Sequence, residues 1–586
     1  MTDDHPRPQL TRPAWRSLNG QWGYTLDRSN AGMRERWFAD PARFTRQITV
    51  PFPPESTLSG IGEDPDSPMW YRREFVDQPQ PGPRERVLVH FEGVDYESTV
   101  WVNGIHIGDH RGGQTCFTFD ITDALTNGTN DLVLRAVDDR RALEQPRGKQ
   151  DWRHEPHVIW YRRTSGIWRT VWLERVPETR IDSIRTNARP GLEQVDFEAR
   201  LMGPLGDDTS LEIEIRHESQ VLARTVVRCA GPLVTGCLTL NHASLLMQPE
   251  ELWWTPESPT LLDLQCELTQ AGHRLDSVDS YIGLRTIACD DRHFLLNDRP
   301  YFLRMVLEQA YWPDSHLSAP SRDALETEVK AIKALGFNGL RMHQASADQR
   351  LLSLCDKLGL VVLADIPAAY RFSSRSLEAL ARETVALVAR DSGHPSLIGW
   401  VAFNESWGVP NLPFSPAQRH AVAAFYHLLK ALDPERIALG NDGWEHVAGD
   451  FIGVHDYCQD GQVLAARYQS RPAVRDTLMN DRPGGHRLTL GQLPPAGAAV
   501  LLSEFGGINS HNDPDAWHGY GTVIEAGDLP GRLRQLMIGL DADSGLAGYC
   551  YTQLTDTEQE KNGLLTGERE PKAEIAEIRS VIEGHR

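Results

Sequence analysis

From about residue 289 onward, short apolar stretches alternate with helical patterns, and few architectures are compatible with that rhythm. Eight stretches qualify: 302–306, 339–342, 360–364, 398–403, 437–440, 451–454, 500–503 and 546–550. Amphipathic segments lie between several of them, as at 322–335, where Leu325, Val329, Ile332 and Leu335 recur every three or four residues. Strands that stay apolar without polar alternation are buried on both faces, as parallel strands are. Eight such units predict a parallel (β/α)8 TIM barrel, with 572–582 as the helix that closes it. The stretch 457–499 contains several Pro and Gly residues and is expected to form a long loop over the barrel mouth.

In such a barrel the C-terminal ends of the strands build the active site. Two strand ends stand out, each of a buried apolar strand that delivers a Glu. IGWVAFNESWG delivers Asn404 and Glu405 and closes on Trp407, while VLLSEFGG delivers Glu504 ahead of two glycines that let the backbone turn. One strand-end Glu alone reads as a cap or an ion-pair residue. Two in the same barrel point to a reaction that needs a paired acid and nucleophile, of which glycoside hydrolysis is the commonest. The other strand ends carry Glu308 and Gln309, Arg341 and His343, Asp365, then Asn441, Asp442 and Trp444. His455, Asp456 and Tyr457 follow on the sixth strand, and Tyr551 and Gln553 on the eighth. Acids, amides, His and aromatic faces in this mixture suit a hydroxyl-rich ring. Glu308, Asp442 and Asp456 read as barrel-end hydrogen bonds rather than sugar contacts.

The first 288 residues are β structure, and with 586 residues in all the chain is too long for one core. Residues 1–178 hold short strands such as 86–91, 98–102, 116–120 and 131–137, with Asn103-Gly104 and Asn127-Gly128 as turns; a jelly-roll domain is expected. Trp15, Trp22, Trp101, Trp168 and Trp172 sit in strand-like segments and read as core filling. Strands at 210–216, 260–269 and 277–283 make 179–288 an immunoglobulin-like β-sandwich without chemistry of its own, leaving 289–586 for the barrel. Between two good strands lies a long, basic, aromatic loop, 145–161 (QPRGKQDWRHEPHVIWY). Its destination is open between the active site, a solvated surface and a subunit interface.

A net charge of −21 argues against nucleic acid and anionic membrane as partners, since both require basic patches. The eight cysteines are scattered, with no pair at metal-ligand spacing, and read as reduced core residues. The N-terminal segment is polar and Pro-rich, and no run of about 18 apolar residues occurs, so a cytoplasmic enzyme is expected.

Several longer motifs resemble glycoside hydrolase family 2, the β-galactosidase, β-glucuronidase and β-mannosidase group. WRSLNGQWGYTLD, PFPPESTLSG with MWYRREF, FEGVDYESTVWVNGIHIGDHRGG and TSGIWRTVWLE resemble the family's sugar-binding jelly roll. GFNGLRMHQASADQRLLSLCDKLGLVVLADIP, GWVAFNESWG, LLSEFGG and YTQLTDTEQEKNGLLT are similar to its barrel signatures, in order. The resemblance implies Glu405 as acid/base and Glu504 as nucleophile of a retaining double displacement that needs no cofactor. It also implies Asn404 on the sugar 2-OH, Tyr457 as a donor to the nucleophile, Tyr551 as floor of the sugar subsite, and Arg341 beneath the nucleophile. His343, Asp365, Trp407, Trp444, His455 and Gln553 complete the expected sugar site. Homo-oligomers fit the resemblance as well.

The sugar is set by departures from the pattern. Glucuronidases of the family carry an Asn-x-Lys motif before a Gly after the eighth strand, where this chain reads Glu560, Lys561 and Asn562 before Gly563. The large β-galactosidases have Arg-x-Ser-His on the second strand, where this chain has Arg341-Met342-His343-Gln344, and a metal site for which no ligands stand out. The expectation is therefore an exo-acting hydrolase of a neutral terminal sugar, with β-galactoside as default. β-Mannoside, β-glucuronide, α-arabinofuranoside, β-galactofuranoside, transglycosylation and a non-catalytic carbohydrate-binding protein are the alternatives.

Overall fold

The computed structural model describes residues 4–77, 81–241, 249–491, 498–509, 520 and 526–584. At the front, a four-stranded and a six-stranded antiparallel sheet pack face to face around Trp22, Tyr71, Val89 and Leu134. Trp22, Trp101 and Trp172 are buried in this domain and Trp168 is buried against Tyr311, Leu317 and Ala345, whereas Trp15, also expected to fill the core, is only half-buried on an edge strand. A second sandwich follows, with three strands (Arg180–Ala188, Gln194–Met202, Leu233–Thr239) facing four (Thr209–His217, Gln220–Arg228, Leu262–Gln270, His273–Ile282). Alternate residues such as Leu211, Ile213 and Ile215 point inward between the sheets.

The remaining chain forms a near-closed parallel barrel of eight strands. In chain order these are Leu303–Glu308, Gly339–Met342, Val361–Asp365, Leu397–Val401, Ile437–Leu439, Phe451–Asp456, Ala499–Gly506 and Gly548–Thr552. Parallel pairing runs from the fifth strand back through the first, on to the eighth, and ends at the sixth. Strand parity sorts the side chains into two layers. Met305, Leu363, Leu501 and Cys550 fill the interior above a plug made by Phe294 and Leu296, whereas Leu340, Val362, Leu502, Tyr549 and Tyr551 face the helices.

The helix expected at 322–335 forms as Arg322–Ala334, with the Ser321 side chain accepting from the Ala324 N–H, and it buries Leu325, Val329 and Ile332. The long loop expected at 457–499 is corrected: the region contains two helices, Gly461–Tyr468 and Arg471–Asn480. Gly461 and Pro472 stand in first turns, where both are compatible with a helix, and Asp460 and Ser470 cap the two starts. Leu464, Tyr468, Val474 and Leu478 give each helix a buried face at a spacing of four. Residues 492–497 of that stretch lie outside the described residues. Among the described residues, no helix is long and apolar enough to cross a membrane.

The loop 145–161 leaves the front sandwich and lies against the barrel mouth. Arg147 and Gly148 donate their N–H groups to the Ala368 carbonyl at 2.9 and 3.1 Å. Gly148 has φ +59°, and a Cβ there would lie 1.8 Å from the Gln344 carbonyl oxygen, so both conformation and space demand glycine. Tyr370 fastens the far side: its hydroxyl accepts from Trp160 Nε1 at 2.7 Å and donates to the Gly148 carbonyl at 2.6 Å.

Candidate active site

At the C-terminal end of the barrel, Arg341 projects from the second strand into a fully buried position and directs its strongest bonds to four side chains. It grips Asp365 with two bonds of 3.0 Å, and reaches Asn404 Oδ1 at 2.8 Å, Asp442 Oδ2 at 2.5 Å and Glu504 Oε1 at 3.2 Å. Burial disfavours the charge of such a guanidinium, and the Asp365, Asp442 and Glu504 carboxylates more than offset it. Asp442 in turn stays well below the usual carboxylate range, because Arg341 and His455 outweigh the cost of burial. Room for Asp442 comes from Gly453, where a Cβ would fall 1.5 Å from Asp442 Oδ1.

His455 joins the two halves of the site. Nε2 meets Asp442 Oδ2 at 2.8 Å and Nδ1 meets Glu405 Oε1 at 2.9 Å. Burial opposes its charge, yet Glu504, Asp442 and Glu405 hold the imidazolium up to about 10. Protonated on both nitrogens, the ring donates to both carboxylates. A Glu405 oxygen, a Glu504 oxygen and a His455 nitrogen all lie within 4.8 Å of one another. That spacing also suits a small cation, although both His455 nitrogens are already bonded to carboxylates.

Two local structures aim the carboxylates. Glu405 and Ser406 both adopt left-handed backbone, φ 51° and 59°, a conformation that costs a non-glycine residue on the order of 1–3 kcal/mol. The surroundings enforce it. Glu405 N–H donates to Asp442 O at 3.0 Å, Ser406 N–H to Asn441 Oδ1 at 3.1 Å, Ser406 Oγ to Glu445 Oε2 at 2.7 Å, and Trp407 N–H to Asn404 O at 2.8 Å. Glu504 is held by Arg341 and by the Tyr457 hydroxyl, which donates to Oε2. Burial raises the Glu504 carboxyl above its ordinary range, against the pull of His455 and Arg341 and with a further push from Glu405.

Comparison with known proteins bears on this arrangement along most of the chain. The profile for the sugar-binding domain of glycosyl hydrolases family 2 matches residues 15–177, a second profile of that family matches 179–285, and its TIM barrel profile matches 287–460. The chain belongs to glycoside hydrolase family 2. It is a glycosidase of that family. A β-glucuronidase of Sus scrofa is 26% identical over 476 residues, spanning 73% of this chain and 69% of that one. A β-galactosidase of Thermoanaerobacter pseudethanolicus is 27% identical over 345 residues, 58% of this chain but only 44% of its own length. The solved β-glucuronidase from an uncultured Clostridium sp. has the same fold, with a TM-score of 0.78 at 19% identity over 98% of this chain and 99% of that one. Among these relatives glucuronides figure more than galactosides, so the default sugar expected above is not supported.

Within this family 2 glycosidase the expected site residues separate into groups. Glu405, Glu504, Asn404, Arg341, His343, His455 and Tyr457 converge in one centre. His343 is neutral, its charge disfavoured by burial and by Arg341, Lys149 and His455 nearby. Its Nδ1 lies 3.0 Å from Gln309 Oε1, and Asn404 Nδ2 lies 3.3 Å from its Nε2. From Gln309 the wall continues through Gln553 to Asn562, with bonds of 2.5 and 2.8 Å. Trp444 stacks on His486 with ring centres 4.4 Å apart and stands edge-on to His455 at 5.7 Å. Trp407 is half-buried beside His343, at 6.1 Å.

Two expected sugar contacts are placed elsewhere. Asp365 is wholly buried as the partner of Arg341 and Gln344, beneath the cleft. Tyr551, expected as the subsite floor, faces the helix layer with no exposed surface, packed over Gly506. Parity on the eighth strand turns Cys550 and Thr552 inward and Tyr551 outward. Glu308 and Asp456 keep the structural roles expected of them: Glu308 accepts from Ala310 N–H at 2.6 Å, and Asp456 from Arg467 and Tyr468 at 2.8 Å each.

Asp442 keeps the barrel-end hydrogen-bonding role expected of it, accepting from Arg341, His455 and Ser503. One buried cation beside the centre was not picked out in the sequence. Lys149, from the front-domain loop, lies 3.0 Å from Glu560 Oε2 and 3.2 Å from the Tyr161 hydroxyl, which itself donates to Glu560. All three are buried. This trio occupies the place where the sequence departs from the family's Asn-x-Lys motif.

Proposed function

We propose that the protein removes a terminal sugar from a β-glycoside by a retaining double displacement, with Glu504 as nucleophile and Glu405 as acid/base. The observation that carries this reading is the approach of the two carboxylates to within 4.8 Å across His455. Retaining enzymes hold the pair about 5–5.5 Å apart, and inverting ones leave room for an intervening water at about 6.5–9.5 Å. In the first step a Glu504 oxygen bonds to the anomeric carbon, the bond to the leaving oxygen breaks, and the Glu405 proton passes to that oxygen. In the second, Glu405 takes a proton from water as the water oxygen bonds to the anomeric carbon and the ester to Glu504 breaks. Arg341 and Tyr457 favour the ionised nucleophile, His455 orients Glu405, and Asn404, with its amide fixed by Arg341 and His343, faces the sugar 2-OH.

For the sugar, a β-glucuronide is the reading supported by the β-glucuronidases among the relatives and by the buried ammonium of Lys149 at the wall. A neutral sugar is the second reading, favoured by Glu560, which already neutralises that ammonium at 3.0 Å. The test is release of nitrophenol from nitrophenyl β-glucuronide, β-galactopyranoside, β-glucoside, β-mannoside, α-arabinofuranoside and β-galactofuranoside by wild type and Glu504→Gln. Cleavage of the glucuronide, lost in the variant, is the expected result. Preference for a neutral sugar moves the substrate to the second reading, and equal activity in the variant removes Glu504 from its role.

A further inference from the structure

Four aromatic side chains gather where the front-domain loop meets the barrel: Trp152 and Trp160 from the loop, Tyr370 and Trp407 from the barrel. Trp152 lies 4.9 Å from Trp160 and 5.1 Å from Tyr370; Trp407 lies 5.6 Å from Tyr370 and 6.2 Å from Trp160, all between ring centres. Each remains half-buried, unlike the tryptophans that fill the sandwich core. The polar edges of two of them are already satisfied, Trp160 Nε1 by the Tyr370 hydroxyl and that hydroxyl by the Gly148 carbonyl. What such rings still offer a ligand is chiefly flat carbon surface.

The position of the cluster suggests its occupant. Trp407 sits on the same turn as Glu405, two residues on, with its N–H bonded to the Asn404 carbonyl. A general acid must reach the leaving oxygen, so the leaving group lies on the Glu405 side of the scissile bond. The remaining wall, formed by Asn404, His343, Gln309 and Gln553, is polar and suits the hydroxyls of the sugar being transferred.

We infer that Trp152, Trp160, Tyr370 and Trp407 form the subsite for the leaving group, and that it takes a ring with an apolar face. An aromatic aglycone and the carbon face of a second sugar share that chemistry. This inference rests on the assignment of Glu405 as acid/base. It makes the front domain a determinant of which glycosides are cleaved, since half of the subsite is carried by its loop.

The test compares wild type with Trp152→Ala and with Trp152→Leu, which keeps bulk but loses the flat face. The substrates are the nitrophenyl, methyl and disaccharide glycosides of the sugar identified above. The ratio of kcat/KM for the nitrophenyl glycoside to that for the methyl glycoside is expected to fall about tenfold in both variants. A parallel fall for the disaccharide extends the site to sugars, and a fall for the disaccharide alone assigns it to them. Ratios within twofold of wild type for both ring-bearing substrates overturn the inference. A second arm needs no turnover: saturation-transfer NMR with phenol alone should show contact in wild type that is lost in Trp152→Ala. If no glycoside is cleaved, the catalytic reading fails while this arm still decides the ring site, and equal phenol contact in both proteins rejects it.

Discussion

The barrel centre and the loop 145–161 face the same cleft and are held together in opposite ways. At the centre, side chains are shared: Arg341 serves Asp365, Asn404, Asp442 and Glu504 at once, and His455 lies between Asp442 and Glu405. In the loop, contacts form small separate groups: Lys149 and Tyr161 with Glu560, Trp160 and Gly148 with Tyr370, and Gly148 against Gln344. A shared network fixes positions tightly and leaves no single partner that can compensate for a loss, whereas a pair can be exchanged as a pair. The chemistry is thus built where change is least tolerated, and the recognition of the substrate's outer parts where change is cheaper.

Four substitutions would break or sharpen that contrast, in falling order of effect. Arg341→Met strands Asp365 and Asp442 in the interior and should cost about 3–5 kcal/mol in urea unfolding, with activity lost; no second substitution at one partner should restore it. Lys149→Met leaves Glu560 buried without its cation and should cost about 3 kcal/mol. Here the contrast predicts rescue: Lys149→Met with Glu560→Gln should recover all but about 1 kcal/mol, measured in the same way. If the pair is not rescued, the loop is as interlocked as the centre.

Gly148→Val forces a branched residue into φ +59° and against the Gln344 carbonyl, a strain of about 2 kcal/mol. The loop should lift locally, so tryptophan fluorescence changes and kcat/KM falls while the unfolding midpoint of the whole chain moves little. The smallest effect is a shift of a pH limb. Glu504 must be ionised to attack, and the Tyr457 hydroxyl favours that form by donating to it. Its loss in Tyr457→Phe raises the carboxyl further, so the acid limb of kcat/KM should move up by about one pH unit. A limb that stays in place would show that Tyr457 has no hold on the nucleophile's proton.

These differences also decide what could be read from the sequence. The barrel and both catalytic candidates were legible because each strand is a continuous apolar run that stops at a polar residue, as in IGWVAFNESWG and VLLSEFGG. Which strand-end residue turns inward was not legible. Tyr551 is turned outward by one step of parity from the inward Cys550 and Thr552, while Gln553 lies beyond the end of the strand, and a short apolar run carries no parity signal when both faces are buried. The partners of Asp442 were not legible for a related reason, since they come from strands two, six and seven, far apart in sequence. The helices at 461–468 and 471–480 were missed because Gly and Pro in a first turn look the same as Gly and Pro in a loop. The composition of 145–161 marked it as unusual, but only the docking of Arg147 and Gly148 on Ala368 gives it a destination.

Because that loop crosses from the front sandwich into the cleft, the enzyme divides its inheritance. A barrel recombined with another member's first domain would keep its acid and its nucleophile but acquire a foreign entrance. Diversification in such a lineage can therefore proceed by exchanging entrances over an unchanged barrel, and a barrel alone is a poor guide to what the whole chain consumes.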